Sequence, residues 1–168
     1  MRPTAPPIEG RARGAAGFTL IELCATIAIF GVLAAVSVGG LQKWTQAREH
    51  SGTAAAVQSL LREAQQRAVT EGRATCVNFD VGAQLYAMYR GACDDPARVL
   101  LDSRRPDSGR VVLAAPAFIG ASGPTPGSGV TFKPRGTAWP GSVQVTRTGS
   151  AKVYTVSVEG LTGRVSRA

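Results

Sequence analysis

A single carboxylate, Glu22, lies near the start of an otherwise apolar run that extends from Phe18 to Leu41. As a helix, a run of this length would rise about 36 Å, which is enough to cross a hydrocarbon core of about 30 Å. A carboxylate inside such a segment costs at least ~2.5 kcal/mol, so it is expected to have a partner and a function. The chemistry that Glu22 predicts is therefore pairing with a group that neutralises its charge.

Two simpler interpretations of this segment must be weighed. A cleaved secretory signal peptide has an apolar core of about 7–15 residues before its cleavage site, whereas this run is longer and carries a charge near its start. A plain signal anchor accounts for the span but not for Glu22. Arg2, Arg11 and Arg13 precede the run, and this positive flank predicts a cytoplasmic N-terminus with the C-terminal domain on the far side of the membrane.

Residues suited to catalysis or to metal binding are sparse. The one histidine, His50, lies in a predicted helix, so we expect neither a histidine-based catalytic set nor a cluster of zinc ligands. Asp94 and Asp95 adjoin Pro96 in a predicted loop, where a turn is a simpler role than a calcium site. No nucleophile–base pair and no phosphate-binding loop is apparent in the sequence. We therefore expect a protein that is not an enzyme and that uses no cofactor.

Two of the three cysteines, Cys76 and Cys93, lie in the downstream half of the chain, whereas Cys24 lies in the apolar run. If the downstream half is outside the cytoplasm, Cys76 and Cys93 can form a disulfide. The even local count favours this pairing. The alternative is two separate small buried thiols.

Positive charge is concentrated towards the C-terminus of a chain whose formal net charge is +8. A basic surface of this kind is compatible with DNA, anionic lipid or acidic proteins. From residue 130 to the end there is one acid, Glu159, against six basic residues: Lys133, Arg135, Arg147, Lys152, Arg164 and Arg167. One hypothesis is that Lys133, Arg135, Arg164 and Arg167 contact DNA phosphates without reading bases. The alternative is that these charges only solvate a sheet.

The elements that position these groups follow from the hydrophobic pattern. After Leu41 the helix becomes amphipathic, with one apolar stripe formed by Val57, Leu60, Leu61, Ala64 and Ala68. Gly72 is expected to end it. Beyond it, short β-type segments predict strands over residues 74–80, 84–90, 111–113, 130–132, 142–148, 152–159 and 163–165, with a loop over 121–129. The predicted fold class is α+β, a long N-terminal helix packed on antiparallel β-sheet.

The segment Gly17-Phe18-Thr19-Leu20-Ile21-Glu22-Leu23 resembles the processing signal of type IV pilins and type II secretion pseudopilins. The resemblance implies that a prepilin peptidase cuts between Gly17 and Phe18 on the cytoplasmic side and that the new Phe18 amine is N-methylated. Glu22 would then neutralise the Phe18 amine of an adjacent subunit, because a buried charge with a partner is tolerated far better than one without.

The same resemblance divides the chain into four parts. Residues 1–17 would be the leader peptide, 18–41 the transmembrane part of the helix, 42–72 its amphipathic part and 73–168 a periplasmic, β-rich globular domain. The implied location is the bacterial inner membrane, crossed once. The implied partners are the prepilin peptidase, other pilin-like subunits of a filament and the lipid of that membrane.

Two C-terminal segments, Val130-Thr131-Phe132-Lys133-Pro134-Arg135-Gly136 and Gly160-Leu161-Thr162-Gly163-Arg164-Val165, resemble the GspH/FimT family of type IV pilin-like proteins. This resemblance implies a minor pseudopilin of a type II secretion system, assembling through its N-terminal helix to support protein export. The alternative is a FimT-like minor pilin of a type IV pilus, with a role in pilus assembly and DNA uptake. DNA-binding members carry a tail resembling Gly-Arg-x-Arg; here Ser166 stands at the second arginine and Arg167 follows it.

Overall fold

The computed structural model describes residues 18–120 and 123–168, and for residues 36–43, 120 and 123–126 it describes the backbone alone. The predicted leader peptide, with Gly17 at its boundary, lies outside the described residues. The chain divides into two compact units, Met1–Gln42 and Lys43–Ala168. Among the residues described, no helix combines the length and the apolarity that crossing a membrane requires.

One helix and nine strands make up the regular structure of the described residues. The helix α1 extends over Leu20–Thr70, and Gly72 follows it with a φ of +63°, the left-handed conformation that commonly ends helices. The strands are β1 Thr75–Asp80, β2 Leu85–Arg90, β3 Val99–Arg104, β4 Val111–Gly120, β5 Gly123–Gly127, β6 Gly129–Phe132, β7 Gly141–Arg147, β8 Tyr154–Val158 and β9 Val165–Arg167.

In the first unit, the helix presents a continuous apolar surface. Every described side chain from Phe18 to Ala35 is exposed, including Phe18 at 87%, Leu20 at 80% and Phe30 at 72%. Exposed apolar surface on this scale marks an interaction site. This part of the chain therefore needs an apolar partner.

In the second unit, the strands form two antiparallel sheets. One has four strands in the order β3-β2-β1-β6, and the other has five in the order β5-β4-β7-β8-β9. The amphipathic part of α1 packs against both, because its buried stripe belongs to one apolar cluster with residues of each sheet. The predicted α+β architecture, a helix packed on antiparallel sheet, is confirmed, and the sheet is divided in two.

The stripe itself consists of Ala54, Val57, Leu60, Leu61, Ala64 and Ala68, all fully buried. Val77 and Met88 meet it from the four-stranded sheet, and Val145 and Val156 from the five-stranded sheet. Small residues on the helix allow the strands to approach closely, and the larger side chains fill the space between the layers.

Two strands differ from the sequence-based prediction. The predicted strand 111–113 is also longer in the structure, where β4 extends to Gly120. The sequence predicts no strand at β3, which forms because it extends the ladder of β2, with Tyr86 opposite Arg104 and Arg90 opposite Val99. It predicts a loop over 121–129, where the backbone instead forms β5 beside β4. β5 is an edge strand, and an edge tolerates glycine and proline because its ladder has hydrogen bonds on one side only.

Val57→Ala should lower the free energy of unfolding by about 2–3 kcal/mol, because it removes buried methyl groups and leaves a cavity. Val69→Ala is the matched control on the same helix; Val69 is 51% exposed, and its replacement should change stability by less than about 0.5 kcal/mol. Urea unfolding of the detergent-solubilised chain, followed by tryptophan fluorescence, measures both. Equal losses would contradict the assignment of the buried helix face.

Candidate assembly and binding surfaces

Glu22 lies in the first turn of α1, three positions after Thr19, the residue that caps the helix. The Glu22 N–H donates a hydrogen bond to the Thr19 hydroxyl oxygen at 3.3 Å, and the Leu23 N–H donates to the Thr19 carbonyl at 3.1 Å. A carboxylate in this position interacts favourably with the positive end of the helix dipole. The spacing Thr19-x-x-Glu22 is that of a capping box, a local signal that the sequence analysis missed. Phe18 and Glu22 are both exposed and accessible to another chain.

A disulfide joins Cys76 and Cys93, whose Cα atoms are 5.0 Å apart. Cys76 is fully buried in β1, and Cys93 lies in the loop that follows β2. The Cys93 N–H donates to the Thr131 hydroxyl of β6 at 3.0 Å. A Cβ atom on Gly129 would lie 2.9 Å from the Cys93 sulfur, so this packing requires glycine there. The disulfide attaches the loop to β1, and the hydrogen bond to Thr131 attaches it to β6. Cys24 is free and exposed.

Asp95, one of the acidic pair in the same loop, has a structural role. The Asp95 carboxylate accepts the Ala97 N–H at 2.8 Å, which is the hydrogen bond of an Asx-type turn. The Arg98 guanidinium donates to the Cys93 carbonyl and lies over the Tyr89 ring at 4.9 Å. No group of three or more histidine, cysteine or acidic side chains that could hold a metal occurs in the described parts of the chain.

Two residues with titratable side chains, His50 and Tyr86, are buried in the second unit. His50 is 4% exposed; its Nε2 donates to the Val145 carbonyl at 2.9 Å, and its ring meets Tyr154 edge-on at 4.7 Å. Burial raises the pKa of the Tyr86 phenol, with nearby Arg104 acting in the opposite direction, so this phenol is neutral at physiological pH. The role of His50 is likewise structural, because its hydrogen bond to Val145 joins the helix to the five-stranded sheet.

The two C-terminal segments highlighted by the sequence meet at one side chain of the helix, Gln65. Its amide nitrogen donates to the Gly136 carbonyl at 3.0 Å and to the Thr162 carbonyl at 2.8 Å. Gly163 has a φ of +63°, and a Cβ atom there would collide with the Gly136 carbonyl and lie 2.5 Å from the Gln65 amide nitrogen. Gln65 thus connects both segments to α1, and the approach requires glycine.

The structure separates the four basic residues predicted to contact DNA. All four are exposed. Lys133 and Arg135 lie in the turn after β6, and Arg164 precedes β9, so these three lie within the two segments that Gln65 holds. Arg167 instead donates from its guanidinium to the Ser51 carbonyl at 3.1 Å. Ser51 and Gln65 are about 21 Å apart along the helix axis, so Arg167 contacts the helix far from the point at which Gln65 holds the two segments.

Comparisons with known proteins agree with this architecture. The family model described as Type II transport protein GspH matches residues 53–162, which is more than half of the chain. The model described as Prokaryotic N-terminal methylation motif matches residues 12–38. No curated protein sequence matches the chain.

Solved structures of low sequence identity share the fold. The minor pseudopilin EpsH from the type 2 secretion system of Vibrio cholerae aligns with a TM-score of 0.56 at 14% identity, covering 71% of this chain and 96% of EpsH. The type IV minor pilin FimU of Pseudomonas aeruginosa gives 0.57 at 16%, covering 74% and 92%. The solution structure of Escherichia coli GspH gives 0.50 at 19%, covering 74% and 88%.

Gln65→Glu should destabilise the second unit by about 1–3 kcal/mol, because a carboxylate cannot donate to the Gly136 and Thr162 carbonyls and leaves both without a donor. Gln66→Glu, the same change on the exposed neighbour, is the matched control and should have little effect. Urea unfolding at neutral pH compares them. A loss in the control as large as in Gln65→Glu would show that added charge, and not the lost donor, is responsible.

Proposed function

Because the chain belongs to the GspH family of type II transport proteins, we propose that it is a minor pseudopilin that assembles with other pilin-like subunits to support protein export. The observation that carries the proposal is the family match across residues 53–162. The N-terminal methylation motif supports it, because it adds the processing signal of a filament subunit to the same chain. The protein therefore acts through assembly, and we propose no catalytic step for it.

Processing and anchoring follow from the N-terminal motif. We base cleavage between Gly17 and Phe18, and methylation of the Phe18 amine, on the motif match over residues 12–38. We base the membrane anchor on the apolar sequence of residues 18–41. With a cytoplasmic N-terminus, residues 73–168 are periplasmic, and the disulfide between Cys76 and Cys93 suits that oxidising compartment.

Assembly uses the charge on Glu22. In the proposed filament the exposed apolar surface of the first unit packs against equivalent helices and lipid. A carboxylate enclosed there without a partner would be strongly unfavourable. Both Glu22 and Phe18 are exposed in the single chain, so the carboxylate of one subunit can meet the Phe18 amine of another. This pair would set the register of neighbouring helices.

The second candidate function is that of a FimT-like minor pilin, and the position of three basic residues supports testing it. Lys133, Arg135 and Arg164 are exposed and flank the same pair of loops, which gives phosphates a compact contact surface. Arg167 is not part of that surface. The DNA hypothesis is therefore restricted to the first three residues.

Deletion of the gene should abolish release of type II secretion substrates and leave twitching motility and natural transformation unchanged. Assays of exoprotein activity in the culture medium, twitching zones and transformation frequency distinguish the two candidates. Normal secretion with lost twitching or transformation would reject the pseudopilin role. In that case, complementation with Lys133→Gln, Arg135→Gln and Arg164→Gln combined tests DNA contact, which unimpaired transformation would exclude.

Glu22→Gln should reduce incorporation of the subunit into the filament at least ten-fold, because it removes the charge that pairs with the Phe18 amine while preserving the size of the side chain. Glu22→Asp, which keeps the charge, is the control and should retain partial incorporation. Sheared-filament immunoblots measure incorporation. Mass spectrometry should find mature chains that begin with N-methylated Phe18 in all three proteins. Wild-type incorporation of Glu22→Gln would contradict the pairing role.

A further inference from the structure

A second group of cations lies around residues 44–51 of α1, and the proposed assembly role does not use it. We define this basic collar as Trp44, Arg48, Arg147, Lys152 and Arg167. The Arg48 guanidinium lies 3.9 Å from the centre of the Trp44 ring. Arg147 donates to the Gln46 side-chain oxygen at 2.7 Å, and Arg167 donates to the Ser51 carbonyl. Residues distant in sequence thus converge on one stretch of helix.

Tyr154 brings the remaining member, Lys152, into the collar. The Lys152 ammonium lies 4.6 Å from the centre of the Tyr154 ring, and the Arg167 guanidinium lies 5.6 Å from it. The same ring contacts His50 of α1 edge-on. Tyr154 therefore holds two cations beside the helix through cation–π contacts, which leave their charges exposed to a further partner.

Few acids oppose these four positive charges. Glu49 is half-buried on the same stretch of α1. Asp107 faces Gly52, because a Cβ atom on that glycine would lie 3.8 Å from the Asp107 carboxylate oxygen. Arg48, Lys152 and Arg167 are exposed, and none of them forms an ion pair with an acid in the described part of the chain. The collar therefore has a net positive charge and presents it to solvent.

Chain connectivity keeps the collar close to the end of the apolar segment. Trp44 lies three positions after Leu41, and three steps along the chain span at most about 11 Å even when fully extended. Trp44 is 52% exposed, and exposed tryptophan beside a membrane segment is typical of the lipid headgroup region. Positive charge next to it is attracted to anionic headgroups.

We propose that the basic collar binds the phosphate groups of anionic phospholipids at the surface of the membrane that anchors the chain. This inference rests on the proposed function for its anchor, residues 18–41. Arginine presents paired N–H donors to phosphate, and Lys152 adds a flexible ammonium. Duplex DNA also offers phosphates, but chain connectivity and Trp44 favour lipid. The three residues retained in the DNA hypothesis do not belong to the collar.

The test reconstitutes the full mature chain into phosphatidylcholine vesicles with and without phosphatidylglycerol. Hydrogen–deuterium exchange is followed in two exposed segments. One is residues 148–153, which carry Lys152 of the collar, and the other is residues 133–136, which serve as an internal reference. Phosphatidylglycerol should slow exchange in the collar about two-fold or more and leave the reference segment unchanged. High salt should remove the effect, because it screens the attraction.

Two triple variants with the same change in net charge provide the matched comparison. Arg48→Gln, Lys152→Gln and Arg167→Gln combined should abolish the protection by phosphatidylglycerol. Lys133→Gln, Arg135→Gln and Arg164→Gln combined should retain it. Unchanged exchange in β7 and β8 verifies that each variant is folded. Equal loss in both variants would attribute the effect to overall charge and overturn the assignment to the collar.

Vesicle flotation separates this inference from the proposed function. A chain that floats with neither type of vesicle would contradict the anchor and, with it, the pseudopilin proposal. A chain that floats with both, but shows the same collar exchange in each, would overturn lipid binding and leave the pseudopilin proposal standing. Collar protection by added duplex DNA, without protection by phosphatidylglycerol, would assign the collar to nucleic acid and likewise reject the lipid proposal.

Discussion

The architecture of the second unit depends on one strip of helix that two separate sheets share. Val57, Leu60 and Leu61 are fully buried there, and strands of both sheets contribute to the same apolar cluster. The two sheets have no ladder in common; they meet on the helix and through direct contacts such as the Phe79 ring stacked on the Phe118 ring at 5.6 Å. Polar contacts add to this alignment, among them those of His50 to the five-stranded sheet and of Gln65 to the C-terminal loops.

Sequence patterns predicted the features whose information is local. The 3.6-residue repeat of the stripe from Val57 to Ala68 identified the buried helix face, and the motif at Gly17–Glu22 identified the class of protein. The division into two sheets was not predictable in this way, because it depends on which strands pair across long separations. β3 and β5 show the same limit. Their residues have weak strand signals, and they become strands because β2 and β4 offer backbone partners.

The same contrast between local and long-range information applies to the candidate surfaces. The sequence located the basic residues, but it grouped Lys133, Arg135, Arg164 and Arg167 by their proximity in the chain. The structure assigns Arg167 to the start of the second unit, near Ser51, and leaves the other three beside the loops that Gln65 holds. Net charge alone could not reveal this, because it does not record where the strands carry each side chain. A minor pseudopilin of this design has two basic surfaces with different neighbours.

The covalent link between Cys76 and Cys93 encloses the whole β1–β2 hairpin, including the exposed turn at Val81. Both cysteines lie outside that turn, one on each side. If a protease cut the turn, the two fragments would stay joined, and the strands would retain their ladder with β6 and β3. The hairpin can therefore be nicked without being released, which is a form of resistance to proteolysis.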